Sequence, residues 1–159
     1  SFGENFADAV TMWDVLEHVH NPQQHLSELQ KILKPDGILI IRVPNGDSID
    51  FKLFRQYWAG LDAPRHLFVF PKNSIKRLLE NNNFTIQSIR QDIGGYLNFI
   101  NSVSFWLNDT KINSKINQLI LKILRSLIFQ ILLFPLNWIR NNLFEGTSMT
   151  ILARPSRIK

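Results

Sequence analysis

The run Ile38–Val43 (Ile-Leu-Ile-Ile-Arg-Val), closed by Pro44-Asn45-Gly46, constrains this chain more than any other segment. A strand with one wet face alternates apolar and polar residues. A run that does not alternate suits a parallel strand covered on both faces. Parallel strands need a crossover, and its parts lie just upstream. Ala9–Trp13 (Ala-Val-Thr-Met-Trp) is a short apolar run of strand type. Asn21-Pro22 supplies a helix start, with Asn as N-cap and Pro at the first helical position. Leu26, Leu29, Ile32 and Leu33 follow at helical spacing, and Lys34-Pro35-Asp36-Gly37 stops the helix and turns the chain. Strand, helix and strand in so short a span make a βαβ unit, so the core is expected to be α/β.

Downstream, Gly46 to Phe70 reads as a loop with a short helix, rich in aromatics: Phe51, Phe54, Tyr57, Trp58, Phe68 and Phe70. The spacing of Ile75, Leu78 and Leu79 predicts a helix from Pro71 to Asn82, capped by Asn73 or Ser74. Phe84–Ile89 alternates as a strand. A mostly helical stretch, 95–144, precedes a last strand at Met149–Arg154, introduced by Gly146. Hydrophobic residues at 45% and charged ones at 19% exclude a disordered or collagen-like chain. The absence of cysteine excludes a disulfide scaffold, thiolate metal sites and a cysteine nucleophile. The opening Ser1–Asp8 is polar and acidic, without a signal-peptide pattern, so a cytoplasmic setting is the expectation.

The stretch Ala9-Val10-Thr11-Met12-Trp13-Asp14-Val15-Leu16-Glu17-His18-Val19 carries the most specific signal. Together with Asn21-Pro22, Leu33-Lys34-Pro35-Asp36-Gly37 and the strand after it, it resembles the class I S-adenosylmethionine-dependent methyltransferases. It is most similar to the branch that includes the ubiquinone-biosynthesis O-methyltransferases. Asp62-Ala63-Pro64-Arg65-His66-Leu67 and the ending Gly146–Pro155 share that resemblance. It implies a Rossmann-like sheet ordered 3-2-1-4-5-7-6, with this chain supplying strands 4-5-7-6 and a helical, apolar insertion before the last strand. The seven glycines include no Gly-x-Gly loop after a strand, the family's approach to the cofactor. The expectation is therefore a partial methyltransferase domain over 1–159, with a central strand left as an exposed edge and weak cofactor binding by the chain alone.

The resemblance implies S-adenosylmethionine as cofactor and methyl transfer, at oxygen, to a small-molecule or lipid-linked acceptor. Trp13 and Asp14 would then sit at the cofactor. Asp14, Glu17 and His18 fall at i, i+3 and i+4, so a helix after the strand would place all three on one face. Two carboxylates and an imidazole suit Mg²⁺ or another divalent cation. His18 and His66 are the candidate acid–base groups, His66 being also a candidate fourth ligand. Tyr57, Trp58 and Arg65 are candidate acceptor contacts. Each has a plainer reading: a packed histidine, a solvated glutamate, a core aromatic, and an Arg65–Asp62 bridge. His20 and His25 read as exposed.

Charge is uneven. Residues 1–110 hold 10 basic against 12 acidic residues, and 111–159 hold 8 against 1. Within 95–144, Ile116–Ile139 is dominated by Leu, Ile and Phe, with Lys122 and Arg125 inside it, Pro135 to kink it and Trp138-Ile139-Arg140 at its end. That pattern suits a helical lid, a subunit contact as in a homodimer, or a peripheral helix at the inner membrane face. A simple span and a nucleic-acid face fit less well, because the charges are scattered among aliphatics. The alternative to an enzyme is a non-catalytic interaction module pairing through the exposed edge strand or the apolar helix.

Overall fold

A computed structural model describes residues 3–92, 96–143 and 145–156. Strand β1 (Ala7–Trp13) leads through a 3-10 turn (Leu16–His18) and helix α1 (Pro22–Ile32) into β2 (Leu33–Pro44). Asn21 caps α1 as expected, its Oδ1 accepting the Gln24 N–H at 3.0 Å, and Leu26 and Leu29 are buried. β1 and β2 are parallel, so the βαβ unit is real. Leu33 belongs to the strand and not to the helix stripe, and it remains buried by pairing with Ala7. The next pair in the ladder is Ala9 with Ile38, so Lys34–Gly37 bulges out between them. Gly37 closes this bulge where a Cβ would meet the Lys34 carbonyl oxygen at 2.9 Å and the Ala7 carbonyl oxygen at 3.2 Å.

Helix α2 (Ile49–Phe54), two 3-10 turns (Arg55–Tyr57 and Ala59–Leu61) and α3 (Lys72–Asn81) precede β3 (Phe84–Asp92). The cap of α3 differs from expectation. Neither Asn73 nor Ser74 caps it; the Lys72 N–H donates to Asp47 Oδ2 at 2.7 Å, from the loop after β2. Helices α4 (Tyr96–Asp109), α5 (Ser114–Arg125) and α6 (Leu127–Leu143) then lead to β4 (Ser148–Pro155). β4 lies antiparallel between β2 and β3, and the sheet order is β1-β2-β4-β3. That is the expected 4-5-7-6 arrangement, with β1 on an edge.

One face of the sheet buries Met12, Leu39, Ile41, Val43, Met149 and Ile151, in one core with Leu26 and Leu29 of α1 and Ile75 and Leu79 of α3. Each such side chain contributes roughly 1.5–3 kcal/mol by leaving water. The other face of β2 departs from expectation: Ile38, Ile40 and Arg42 are only half-buried, so the strand is fully covered on one side alone. The side chains of Trp138 and Arg140, together with Gly95 and Phe144, lie outside the described residues.

Candidate active site

β1 delivers the site. Its ladder runs one residue past the strand, the Asp14 N–H donating to the Arg42 carbonyl at 3.1 Å. Asp14 then adopts a left-handed backbone (φ 53°), which Asp tolerates better than most residues, and the chain breaks into the turn Leu16–His18. Leu16 plugs the core, and the same turn draws Glu17 inside with no solvent exposure.

This geometry corrects the expected three-residue face. No helix follows the strand: the turn spans three residues and Asp14 stands outside it. Asp14 instead pairs with Arg42, Oδ1 to Nε at 3.5 Å, at the partly exposed strand end. Among the described residues, the ligand atoms that converge are those of Glu17, His18 and His66, all within 4.8 Å of one another.

The aromatic loop brings His66 over the turn. The Glu17 backbone carbonyl accepts both the Leu67 N–H (2.8 Å) and the Phe68 N–H (3.2 Å), which pins the loop to the strand end. His66 Nδ1 donates to the Gly60 carbonyl at 2.9 Å, and His18 Nδ1 donates to the Arg65 carbonyl at 2.8 Å. A neutral imidazole that donates from Nδ1 keeps its lone pair on Nε2, so both rings are held in one tautomer. They meet edge to face, centroids 4.7 Å apart. His66 Nε2 lies 3.9 Å from Glu17 Oε1, beyond hydrogen-bond reach. Neither Glu17 oxygen has a hydrogen-bond partner. Burial pushes its carboxyl above the usual range, and its own backbone N–H and the nearby His66 only partly oppose that.

This set passes a simple test for a divalent cation. A buried carboxylate with no donor, flanked by two imidazoles whose other nitrogens are held by carbonyls, is the donor set and outer support such an ion requires. The fit to S-adenosylmethionine is partial. Trp13 is 53% exposed beside the Asp14 turn and can form one wall. The sequence holds no Gly-x-Gly motif of the kind that lets backbone approach a nucleotide.

The expected acceptor contacts fare differently. Trp58 is 1% exposed, packed against Phe51 and the Gly60 backbone, and is a core residue that an acceptor cannot reach in this conformation. Phe54 and Phe70 are likewise buried. Tyr57 donates its hydroxyl to the Asp109 carboxylate on α4. Arg65 is exposed and bridges to Asp62, the plainer of its two readings. His20 is exposed, whereas His25 is half-buried. Composition gave no sign of two supporting groups: the Gly60 carbonyl that orients His66, and Ser102, whose Oγ accepts the Ala59 N–H at 2.9 Å and braces the same loop.

Comparison with known proteins fits this architecture. The chain superposes on a SAM-dependent methyltransferase from Thermotoga maritima with a TM-score of 0.58 at 12% identity, covering 98% of this chain and 59% of that one. For a SAM-dependent methyltransferase from Archaeoglobus fulgidus the TM-score is 0.55 at 16% identity, covering 96% and 61%. It also superposes on the [4+2]-cyclase SpnF, with a TM-score of 0.54 at 14% identity, covering 98% and 52%. The chain thus spans little more than half the length of these structures, and likenesses of this degree define the fold and not the reaction. No curated protein matches it. A family model described as a methyltransferase domain matches residues 1–89, more than half of the sequence, and the chain belongs to that methyltransferase-domain family.

Proposed function

We propose that this chain is the acceptor side of an S-adenosylmethionine-dependent O-methyltransferase, and that Glu17, His18 and His66 handle the acceptor hydroxyl. The observation that carries the reading is the convergence of a partnerless buried carboxylate with two imidazoles of fixed tautomer, at the C-terminal end of a parallel strand. In open α/β sheets that end is where ligands bind.

S-adenosylmethionine supplies, when bound, a methyl group already activated on a sulfonium. The protein's part is alignment and proton removal. His66 Nε2 would take the acceptor's hydroxyl proton as the methyl group passes from the sulfonium to the oxygen. Glu17 would stabilise the imidazolium formed beside it, 3.9 Å away. With His66 Nε2 as a ligand in place of a base, Glu17, His18 and His66 would instead hold a divalent cation, whose contribution would be to acidify the hydroxyl. An acceptor with a lipid tail suits the setting, because α4 contacts the His66 loop on one side and the apolar α5 on the other. The resemblance to the ubiquinone-biosynthesis branch favours oxygen as the methylated atom.

Two calorimetric titrations test this. Mn²⁺ should bind the chain and fail to bind His66→Ala; equal binding would remove the metal part of the reading. S-adenosylmethionine should bind a form extended at its N-terminus far more tightly than this chain. No binding by either would favour the interaction module, whose unpaired edge at β1 is present in the sheet.

A further inference from the structure

Helices α5 and α6 turn much of their aliphatic surface to solvent. On α5, Asn117 is buried, 8% exposed, its Nδ2 donating to the Leu107 carbonyl at 3.0 Å, with Ile120, Leu121 and Leu124 half-buried on the same side. Tyr96 on α4 donates its hydroxyl to the Leu124 carbonyl at 2.7 Å. Ile116, Leu119 and Ile123, at i, i+3 and i+7, face solvent. On α6, Leu127, Ile128, Ile131, Leu132 and Phe134 are between 64% and 74% exposed. Exposed large aliphatic residues in this number on two successive helices mark an interaction surface.

Charge identifies the occupant. No acidic residue occurs between Asp109 and Glu145, whereas Lys111, Lys115, Lys122 and Arg125 do. Lys115 and Lys122, seven residues apart, lie along one flank of the Ile116–Leu119–Ile123 stripe. A second copy of the chain docked through this face would bring like charges together, since a two-fold contact presents the same patch twice. An anionic lipid surface accepts both the aliphatics and the lysines. Among the described residues no single helix is long and apolar enough to cross a bilayer, and α5 meets the start of α6 at a bend of 65°. Ser126 makes that bend, its Oγ donating to the Ile123 carbonyl at 2.7 Å and accepting the Phe129 N–H at 3.3 Å. We infer that α5 and the first half of α6 form an interfacial anchor, lying along an anionic membrane with their aliphatic face among the acyl chains and Lys115 and Lys122 at the headgroups. This goes beyond the proposed chemistry and does not depend on it.

The experiment is co-sedimentation of the full chain with phosphatidylglycerol vesicles and with phosphatidylcholine vesicles, alongside sedimentation velocity without lipid. The chain should pellet with the anionic vesicles and be released by high salt. Lys115→Gln with Lys122→Gln should weaken binding about 25-fold, at about fivefold per cation. Leu119→Glu with Ile131→Glu should abolish it; both positions are solvent-exposed, so circular dichroism should be unchanged. Equal pelleting with both lipids would overturn the electrostatic assignment. No pelleting, with a concentration-dependent dimer that Leu119→Glu disrupts, would assign the face to a second copy and overturn the anchor.

Discussion

Glu17→Gln offers the sharpest test of the site, because it separates the charge of this side chain from its shape. The side chain has no solvent exposure and neither oxygen has a hydrogen-bond partner, so an ionised Glu17 is only weakly offset, by its own backbone N–H, unless a cation or a protonated His66 adds to it. Its carboxyl is pushed up by burial, from an unfolded value of 4.5. The folded state therefore holds this proton more tightly than the unfolded one. The stability it contributes is present in full below pH 4.5 and is lost as pH rises through the folded value. Glutamine is neutral throughout. An unsatisfied buried polar group costs roughly 1–3 kcal/mol, and more when charged. In EDTA at pH 7 the variant should therefore melt higher than the parent by about 2–12 °C, at about 2–4 °C per kcal/mol for a domain of this size. At pH 4 the gap should nearly close. His18, His66 and Asp14 surround the group, so repeating the comparison in a His66→Gln background removes the main titrating neighbour. Adding Mn²⁺ should raise the melting point of the parent alone. A gap that is flat with pH, or a variant less stable at pH 7, would refute the claim that Glu17 is buried with too little compensation.

Three further changes probe the surroundings. Gly37→Ala places a Cβ 2.9 Å from one backbone oxygen and 3.2 Å from another, neither able to swing away; urea unfolding should show a loss of about 1–3 kcal/mol. Ser102→Ala leaves the Ala59 N–H without its acceptor, at a similar cost of about 1–3 kcal/mol by the same assay. Gly60→Ala drives a Cβ into the Trp58 ring, so Trp fluorescence should shift and Mn²⁺ binding should weaken as the Gly60 carbonyl loses its hold on His66.

The local signals in the chain translated well into local structure. Asn21-Pro22 started α1, and the aliphatic run became β2. The Phe84 and Met149 segments became strands in the expected order. These features depend on short-range capping, dihedral preference and side-chain period, all of which are written within a few residues. The errors share a different origin. Asp14, Glu17 and His18 have helical spacing, but a left-handed residue at Asp14 and a 3-10 turn replaced the helix and sent Asp14 to Arg42. Trp58 has the composition of a pocket wall, yet the loop folds over it. The cap of α3 came from Asp47, beyond any local window.

The sequence by itself determined the βαβ core, the family likeness and the crowding of cation and aliphatic in the last third. The packing alone sealed Glu17 from water, completed its cluster with His66 and not Asp14, and left much of the aliphatic surface of α5 and α6 exposed. The reason is physical. Period and propensity say which residues share a face, while burial depends on what packs against that face. For Glu17 this is the loop anchored to its own backbone carbonyl, and for α5 it is the inward Asn117 held by α4.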